Sequence, residues 1–200
     1  SKQKGGFFGE NQFDGAASMF ARSLFPGRNW DFNMPFEDEN GNMLVPGPQG
    51  QFDNPLWSGK YNVATTDEER YVAGMHADFN ITSWARVDYN LGTNIKTLRR
   101  NEVTEIGSRA AEGKGRLIVD NYWKRELESN LMLTLTPHIG EAFSLRTIIG
   151  TNYNQRKVLQ QTNKGNQFIT RGIYNLVNTS QQIFDLDFQE KRSIIALYGD

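Results

Sequence analysis

The chain has no cysteine among its 200 residues, which removes disulfides and thiolate metal centres and suits an envelope protein. Its two histidines, His76 and His138, lack a nearby third ligand in sequence, so no zinc site is expected; they read as a polar strand residue and a turn residue. Charge of one sign is also lacking: the net charge is −1, and no nucleic acid or other polyelectrolyte partner is implied. No apolar run reaches the roughly 18 residues that a transmembrane helix needs. Nothing from Ser1 onward has the charged and then apolar regions of a signal peptide. No Ser-His-Asp order or Cys-His pair is present, and Glu126 and Glu128 fit a polar wall better than a glycosidase pair, so no enzyme is expected.

What the chain does have is a two-residue alternation of apolar and polar side chains. From Glu69 to Ile81 it sets Tyr71, Ala73, Met75, Ala77, Phe79 and Ile81 against Arg70, His76, Asp78 and Asn80. From Ala85 to Lys96 it sets Ala85, Val87, Tyr89, Leu91, Thr93 and Ile95 against Arg86, Asp88, Asn90, Asn94 and Lys96. A third stripe (Leu127, Ser129, Leu131, Leu133, Leu135) opposes Glu126, Glu128, Asn130, Thr134 and Thr136. A fourth (Phe143, Leu145, Thr147, Ile149, Thr151, Tyr153) opposes Ser144, Arg146, Asn152 and Asn154. Successive strand side chains point to opposite faces, so each segment predicts one apolar and one wet face.

A strand of roughly 12 residues is about 40 Å long and, tilted near 45°, spans about 28 Å, which matches a bilayer core. The fold expected is therefore all-β: an antiparallel transmembrane β-barrel segment, incomplete, of about 5 to 7 strands with long external loops. A cation facing lipid at mid-depth costs about 2 to 4 kcal/mol, so the interior should be lined by Arg70, His76, Asp78, Arg86, Asp88 and Arg146. Aromatics near the stripe ends, Tyr71, Phe79, Phe143 and Tyr153, fit interfacial girdles. Trp84 has the wrong parity unless the turn rotates it outward. Arg125 shares the lipid-side parity and is expected above the hydrocarbon.

Short turns near residues 82–84 and 137–141 alternate with long polar stretches at about 97–115 and 157–187, and a Gly-, Pro- and Phe-rich region covers 1–66. Outer-membrane barrels keep short turns periplasmic and long loops outside, so the long stretches are assigned to the exterior. Residues 1–66 read as an external loop region with a short helix over Ala16 to Phe25, and 67–200 as barrel strands with their loops. A fifth strand starts at about Phe188. So few strands cannot close a membrane barrel, and the chain reads as a fragment.

Chemical motifs are weak. Gly107 to Lys114 has five residues between its glycines where a phosphate loop has four, and Gly115 stands where Ser or Thr is required. Glu37-Asp38-Glu39-Asn40-Gly41-Asn42 offers hard oxygen ligands that could hold calcium, but a solvated hairpin tip is the preferred reading, and no cofactor is expected. The aromatics of the first segment (Phe7, Phe8, Phe13, Phe20, Phe25, Trp30, Phe32, Phe36, Phe52, Trp57) mostly pack a small loop core in the simplest reading. Trp30 and Trp57 are the candidates for contact with a ligand or surface lipoprotein.

Five elements occur in order: Asn54-Pro55 before the first strand; Arg125-Glu126-Leu127-Glu128-Ser129-Asn130 running into alternating leucines; Ile148-Ile149-Gly150; Tyr174-Asn175-Leu176-Val177-Asn178; and Lys191-Arg192-Ser193 leading to Leu197-Tyr198-Gly199-Asp200. Together they resemble the SusC/RagA-like TonB-linked outer-membrane transporters over nearly the whole chain. The resemblance implies a mid-barrel segment of a 22-stranded barrel in the bacterial outer membrane. It also implies a plug domain lying outside these residues, through which the TonB complex acts, a SusD-like surface lipoprotein over the external loops, and glycan or peptide substrates. The expected function is thus a share of barrel wall, lumen lining and external loops in an importer. The alternative is a structural or adhesive outer-membrane barrel, or a soluble β-protein with binding loops.

Overall fold

The computed structural model describes residues 1–6, 18–24, 26, 30–44, 50, 52–140 and 143–200. The protein is all-β in its main architecture. Strand β1 (Lys2–Gly6) precedes two short helices, α1 (Met19–Ser23) and α2 (Pro55–Tyr61). The long strands β2 (Val63–Thr82), β3 (Ala85–Ile106) and β4 (Lys114–Leu135) follow. After the two-residue strands β5 (His138–Ile139) and β6 (Phe143–Ser144) come β7 (Thr147–Phe168) and β8 (Thr179–Gly199). Six strands form one antiparallel sheet in the order β1-β2-β3-β4-β7-β8, while β5 and β6 pair with each other. β1 is short and pairs only with the start of β2, from Lys2↔Asp67 to Gly6↔Val63.

The long strands run 20 to 22 residues, well past the usual 5 or 6 of soluble sheets. They also run past the expected segments. β3 continues to Ile106 and β4 begins at Lys114, so the loop expected over 97–115 reduces to residues 107–113. β7 reaches Phe168 and β8 begins at Thr179, so the loop expected over 157–187 reduces to 169–178. The ladder outlasts the apolar stripe because backbone pairing is satisfied by neighbouring strands whether the flanking side chains face lipid or water. The connection expected near 137–141 carries a short ladder, in which His138 pairs with Ser144 and Ile139 with Phe143, so Phe143 belongs to that ladder and not to β7. Trp84, at 46% exposure, sits with Ser83 in the tight turn between β2 and β3.

The first segment also differs from expectation. Helix α1 covers part of the predicted helix; Ala16, Ala17 and Phe25 lie outside the described residues. Helix α2 lies where the sequence predicts only loop. Asn54 caps it, its side chain accepting from Leu56 N at 3.0 Å, and Pro55 takes the first helical position, where a missing N–H costs nothing.

The chain divides into two compact units, and the division cuts every long strand. One comprises Ser1–Glu68, Leu98–Asn121 and Gln161–Asp187; the other comprises Glu69–Thr97, Tyr122–Gln160 and Phe188–Asp200. The first has a small apolar core of Val103, Leu117, Val119 and Phe168, with Ile106 and Leu176 packed on it. Gln167, at φ 60°, breaks the alternation of β7 just before Phe168. The Phe168 ring then lies over Gly115, where a Cβ would come within 2.4 Å of it.

Among the described residues the second unit has no comparable core. Its apolar stripe stands uncovered among the described residues: Tyr71, Met75, Phe79, Ile81, Leu131, Ile149, Ile195 and Leu197 are exposed, Leu197 by 83%. No helix of the described residues is long and apolar enough to cross a membrane.

Candidate functional site

The polar face of the second unit is built by strand alternation alone, since each even-numbered residue of β2, β3 and β4 stands opposite the apolar stripe. Its side chains are joined across strands. Arg70 Nε donates to Asn94 Oδ1 at 2.9 Å, Asn94 Nδ2 donates to Glu126 Oε2 at 3.3 Å, and Lys124 Nζ meets Glu126 Oε1 at 2.7 Å. Nearer the turns, His76 Nδ1 lies 2.7 Å from Asn90 Oδ1 and His76 Nε2 lies 3.7 Å from Asp78. Asp78 is 3.7 Å from Arg86 NH2, which makes its close contact with Asp88 Oδ1 at 2.7 Å. Further along the sheet, Asn152 Nδ2 donates to Glu128 Oε1 at 3.4 Å, and Tyr198 OH donates to Asn130 Oδ1 at 2.9 Å.

Of the six expected lining residues, five therefore fall in this face. Arg70 belongs to the upper group, and His76, Asp78, Arg86 and Asp88 form one chain of contacts. Asp88 is buried, its carboxylate held by Arg86 Nε at 3.0 Å as well. Arg146 stands just before β7 and lines a recess at the turn end with Arg86, Asp88, Trp84 and Thr136. Sequence parity did not single out Asn90, Asn94 and Glu126 as the joints of this network, although they lay on the face it predicts.

The first unit contains a second polar assembly, and this one is buried. Asp53 Oδ2 accepts from Asn62 Nδ2 at 3.0 Å and from Ser108 Oγ at 2.6 Å, while Oδ1 accepts from Arg109 N at 2.7 Å. Asn62 also donates to Ser58 Oγ at 2.7 Å and accepts from Glu105 N at 2.9 Å. The loop weighed as a phosphate cradle thus gives the Arg109 N–H and the Ser108 hydroxyl to a carboxylate of the same chain. Burial pushes the Asp53 carboxyl above its ordinary range, against the pull of those three hydrogen bonds.

Arg171 ties the 169–178 loop to the Glu37–Asn42 turn. Its NH1 donates to Asn40 O at 3.0 Å and Asn42 Oδ1 at 3.1 Å, its NH2 donates to Gly41 O at 2.5 Å, and its guanidinium lies 5.2 Å from the Tyr61 ring centroid. Tyr174, from the same loop, donates to the buried Glu105 carboxylate; burial and that contact hold its phenol far above its ordinary value. Of the oxygens that could serve a calcium ion, the carboxylates of Glu37 and Asp38 are engaged within the chain. Asp38 accepts from Asn40 N at 2.9 Å, Asn42 N at 2.8 Å and Asn42 Nδ2 at 2.8 Å. Glu37 accepts from Lys60 at 2.5 Å and Tyr61 OH at 2.7 Å. Among the described residues no group of three or more His, Cys, Asp or Glu could hold a metal ion.

These contacts correct one expectation. Trp57 is fully buried, its Nε1 donating to Gly41 O at 2.9 Å and its ring 5.1 Å from that of Tyr61. It is a core residue of the loop region and is not available to a ligand or lipoprotein. Trp30 is half-buried. Phe52 is buried, with Arg22 over its ring at 5.3 Å, whereas Phe20 and Phe32 are exposed. Phe7, Phe8 and Phe13 lie outside the described residues.

No family model matches the chain, and no curated protein matches it.

Proposed function

We propose that these residues form part of the wall and external loops of a TonB-dependent outer-membrane importer of the SusC/RagA-like kind. One observation carries the reading: on strands of 20 to 22 residues, an uncovered apolar stripe opposes a connected polar ladder. In water such a stripe would be an aggregation surface, since soluble monomers rarely expose contiguous apolar patches of more than a few hundred Å². In a bilayer it is what the lipid-facing wall requires, and the opposed ladder suits a wet lumen.

On this reading the 82–84 and 136–146 connections are periplasmic, and the first unit belongs to the cell exterior. There its loops would meet a SusD-like lipoprotein, with Trp30 as a candidate anchor. The polar face, with Arg70, His76, Asp78, Arg86, Asp88 and Arg146, would hold a plug domain through hydrogen bonds and ion pairs until TonB pulls it. Glycans or peptides are the substrates.

The coding DNA on both sides of the segment tests this. A plug with a TonB box upstream and a SusD-like lipoprotein gene alongside is the expected result, and the neighbouring genes would then indicate the substrate. A short complete reading frame, with a signal peptide just ahead of Ser1 and a stop soon after Asp200, would leave a small barrel or a soluble β-protein and end the transport reading.

A further inference from the structure

Past its hydrocarbon residues the apolar face carries a cation on each of three strands. Beyond Leu127 on β4 comes Arg125, and beyond Tyr153 on β7 come Gln155 and Lys157. Beyond Ile195 on β8 come Ser193 and Lys191. Side-chain contacts set these strands side by side at this level. Arg125 NH2 donates to Gln155 Oε1 at 3.2 Å, and Gln155 Nε2 donates to Tyr153 OH at 2.6 Å and to Ser193 Oγ at 3.4 Å. Lys157 and Lys191 stand one alternation further along the same face from the Gln155 and Ser193 contact. Three cations thus occupy three adjacent strands at the edge of the apolar stripe.

Among the described residues, no carboxylate lies within ion-pair distance of Arg125, Lys157 or Lys191. The nearest acids in sequence, Glu126 and Glu190, alternate to the opposite face, and Glu126 is taken by Lys124. Arg125 Nε is enclosed and has no hydrogen-bond partner. Like charges on neighbouring strands repel, so the cluster has a cost that an external anion would offset.

We propose that Arg125, Lys157 and Lys191 form a docking surface for the phosphate groups of lipid headgroups in the leaflet next to the apolar stripe. The inference rests on the reading of that stripe as lipid-facing. Continuity with the stripe selects a lipid phosphate over a soluble one: a molecule whose tails lie along Leu127, Ile149 and Ile195 carries its headgroup to this level. Tyr153, in the same cluster, is the kind of amphipathic residue that fits a headgroup boundary.

The test uses the full-length protein in detergent micelles. Retained lipid is counted by native mass spectrometry after exposure to diphosphoryl lipid A, to the same lipid with both phosphates removed, or to diphosphoryl lipid A with excess inorganic phosphate. Each basic residue near a charged headgroup contributes roughly a fivefold preference, so R125Q/K157Q/K191Q should lower retention of the phosphorylated lipid about 100-fold. R192Q, on the opposite face, should leave it unchanged, and so should excess inorganic phosphate. The single variants K157Q and K191Q should each give a smaller loss, which keeps the test valid if the triple variant does not fold. Equal retention of both lipids, or full displacement by inorganic phosphate, overturns the proposal. A protein that enters neither micelles nor bilayers would instead overturn the lipid-facing reading beneath it.

Discussion

The ring of Tyr198 lies over Gly150: a Cβ built on Gly150 would stand 2.2 Å from Tyr198 Cζ. Only a glycine on β7 lets the β8 side chain cross that strand and donate to Asn130 Oδ1 on β4 at 2.9 Å. One aromatic thereby joins three strands on the polar face, covering a backbone that would otherwise lack a side chain. Replacing Gly150 by Ala should lift the ring from its seat and break the Asn130 bond, lowering stability by about 1 to 2 kcal/mol. Tyr198→Phe should cost about 1 kcal/mol or less. Urea unfolding of the full-length protein in micelles measures both. If the ring and glycine act as one unit, the double variant will cost less than the sum of the two singles.

Trp57 gives a test that separates packing from recognition. Its full burial and its bond to Gly41 O predict that Trp57→Ala will destabilise the 37–62 region by about 3 to 5 kcal/mol, and Trp57→Phe by less. Hydrogen exchange should show the amides of α2 and of the Glu37–Asn42 turn losing protection, with little change in β2 between Glu69 and Thr82. A variant that weakens binding of a ligand or lipoprotein while these amides stay protected would return Trp57 to the role of a contact residue.

Acid should act on the first unit through two carboxylates of opposite sign. Hydrogen bonds from Lys60 and Tyr61 hold Glu37 below its ordinary 4.5, so its contribution is present above that pH and lost as pH falls through the folded value. Burial holds Asp53 above its ordinary 3.8, so its contribution is full below that pH and is lost as pH rises through the folded value. Tryptophan fluorescence and exchange across the pH 3 to 6 range should therefore show two steps near the carboxylate region. Glu37→Gln should remove the loss on acidification. Asp53→Asn should flatten the opposite step. A single step of one sign in both variants would contradict the assignment.

The alternation carried the main architecture because a strand with one greasy and one wet face repeats every second residue, and Tyr71 to Ile81 keep an apolar residue at each odd position, with Val72 and Gly74 the exceptions on the wet face. Beyond the stripe the rule lapses. Arg99, Arg100, Asn101 and Glu102 are polar on both faces, so the continuation of β3 to Ile106 could not be told from a loop. Helix α2 is only 7 residues long, too short for a periodic stripe, and its Asn-Pro start also reads as a turn. The contacts of Trp57 with Gly41 and of Tyr174 with Glu105 join residues far apart in the chain. No local pattern distinguishes a tryptophan that fills such a site from one that waits for a partner.

The Arg86 and Asp88 pair bears most directly on the proposed transport role. Asp88 is buried and depends on Arg86 for its hydrogen bonds at 3.0 and 2.7 Å. Arg86→Gln removes the charge that offsets that carboxylate and breaks the run from His76 through Asp78. Leaving one partner of a buried pair alone costs about 3 to 5 kcal/mol, with the half-exposed Arg86 placing this case toward the lower end or beneath it. In a full-length importer, Arg86→Gln combined with Arg70→Gln and Arg146→Gln should loosen a plug that bonds to this face. The barrel should still insert, because the lipid-side stripe is untouched. The measurement is passive leak of a small solute into liposomes carrying the variant, alongside heat-modifiable migration as the check on insertion. Leak should rise at unchanged insertion. Wild-type leak with a normally inserted barrel would mean that the plug is held elsewhere and that this ladder serves only to knit the wall together.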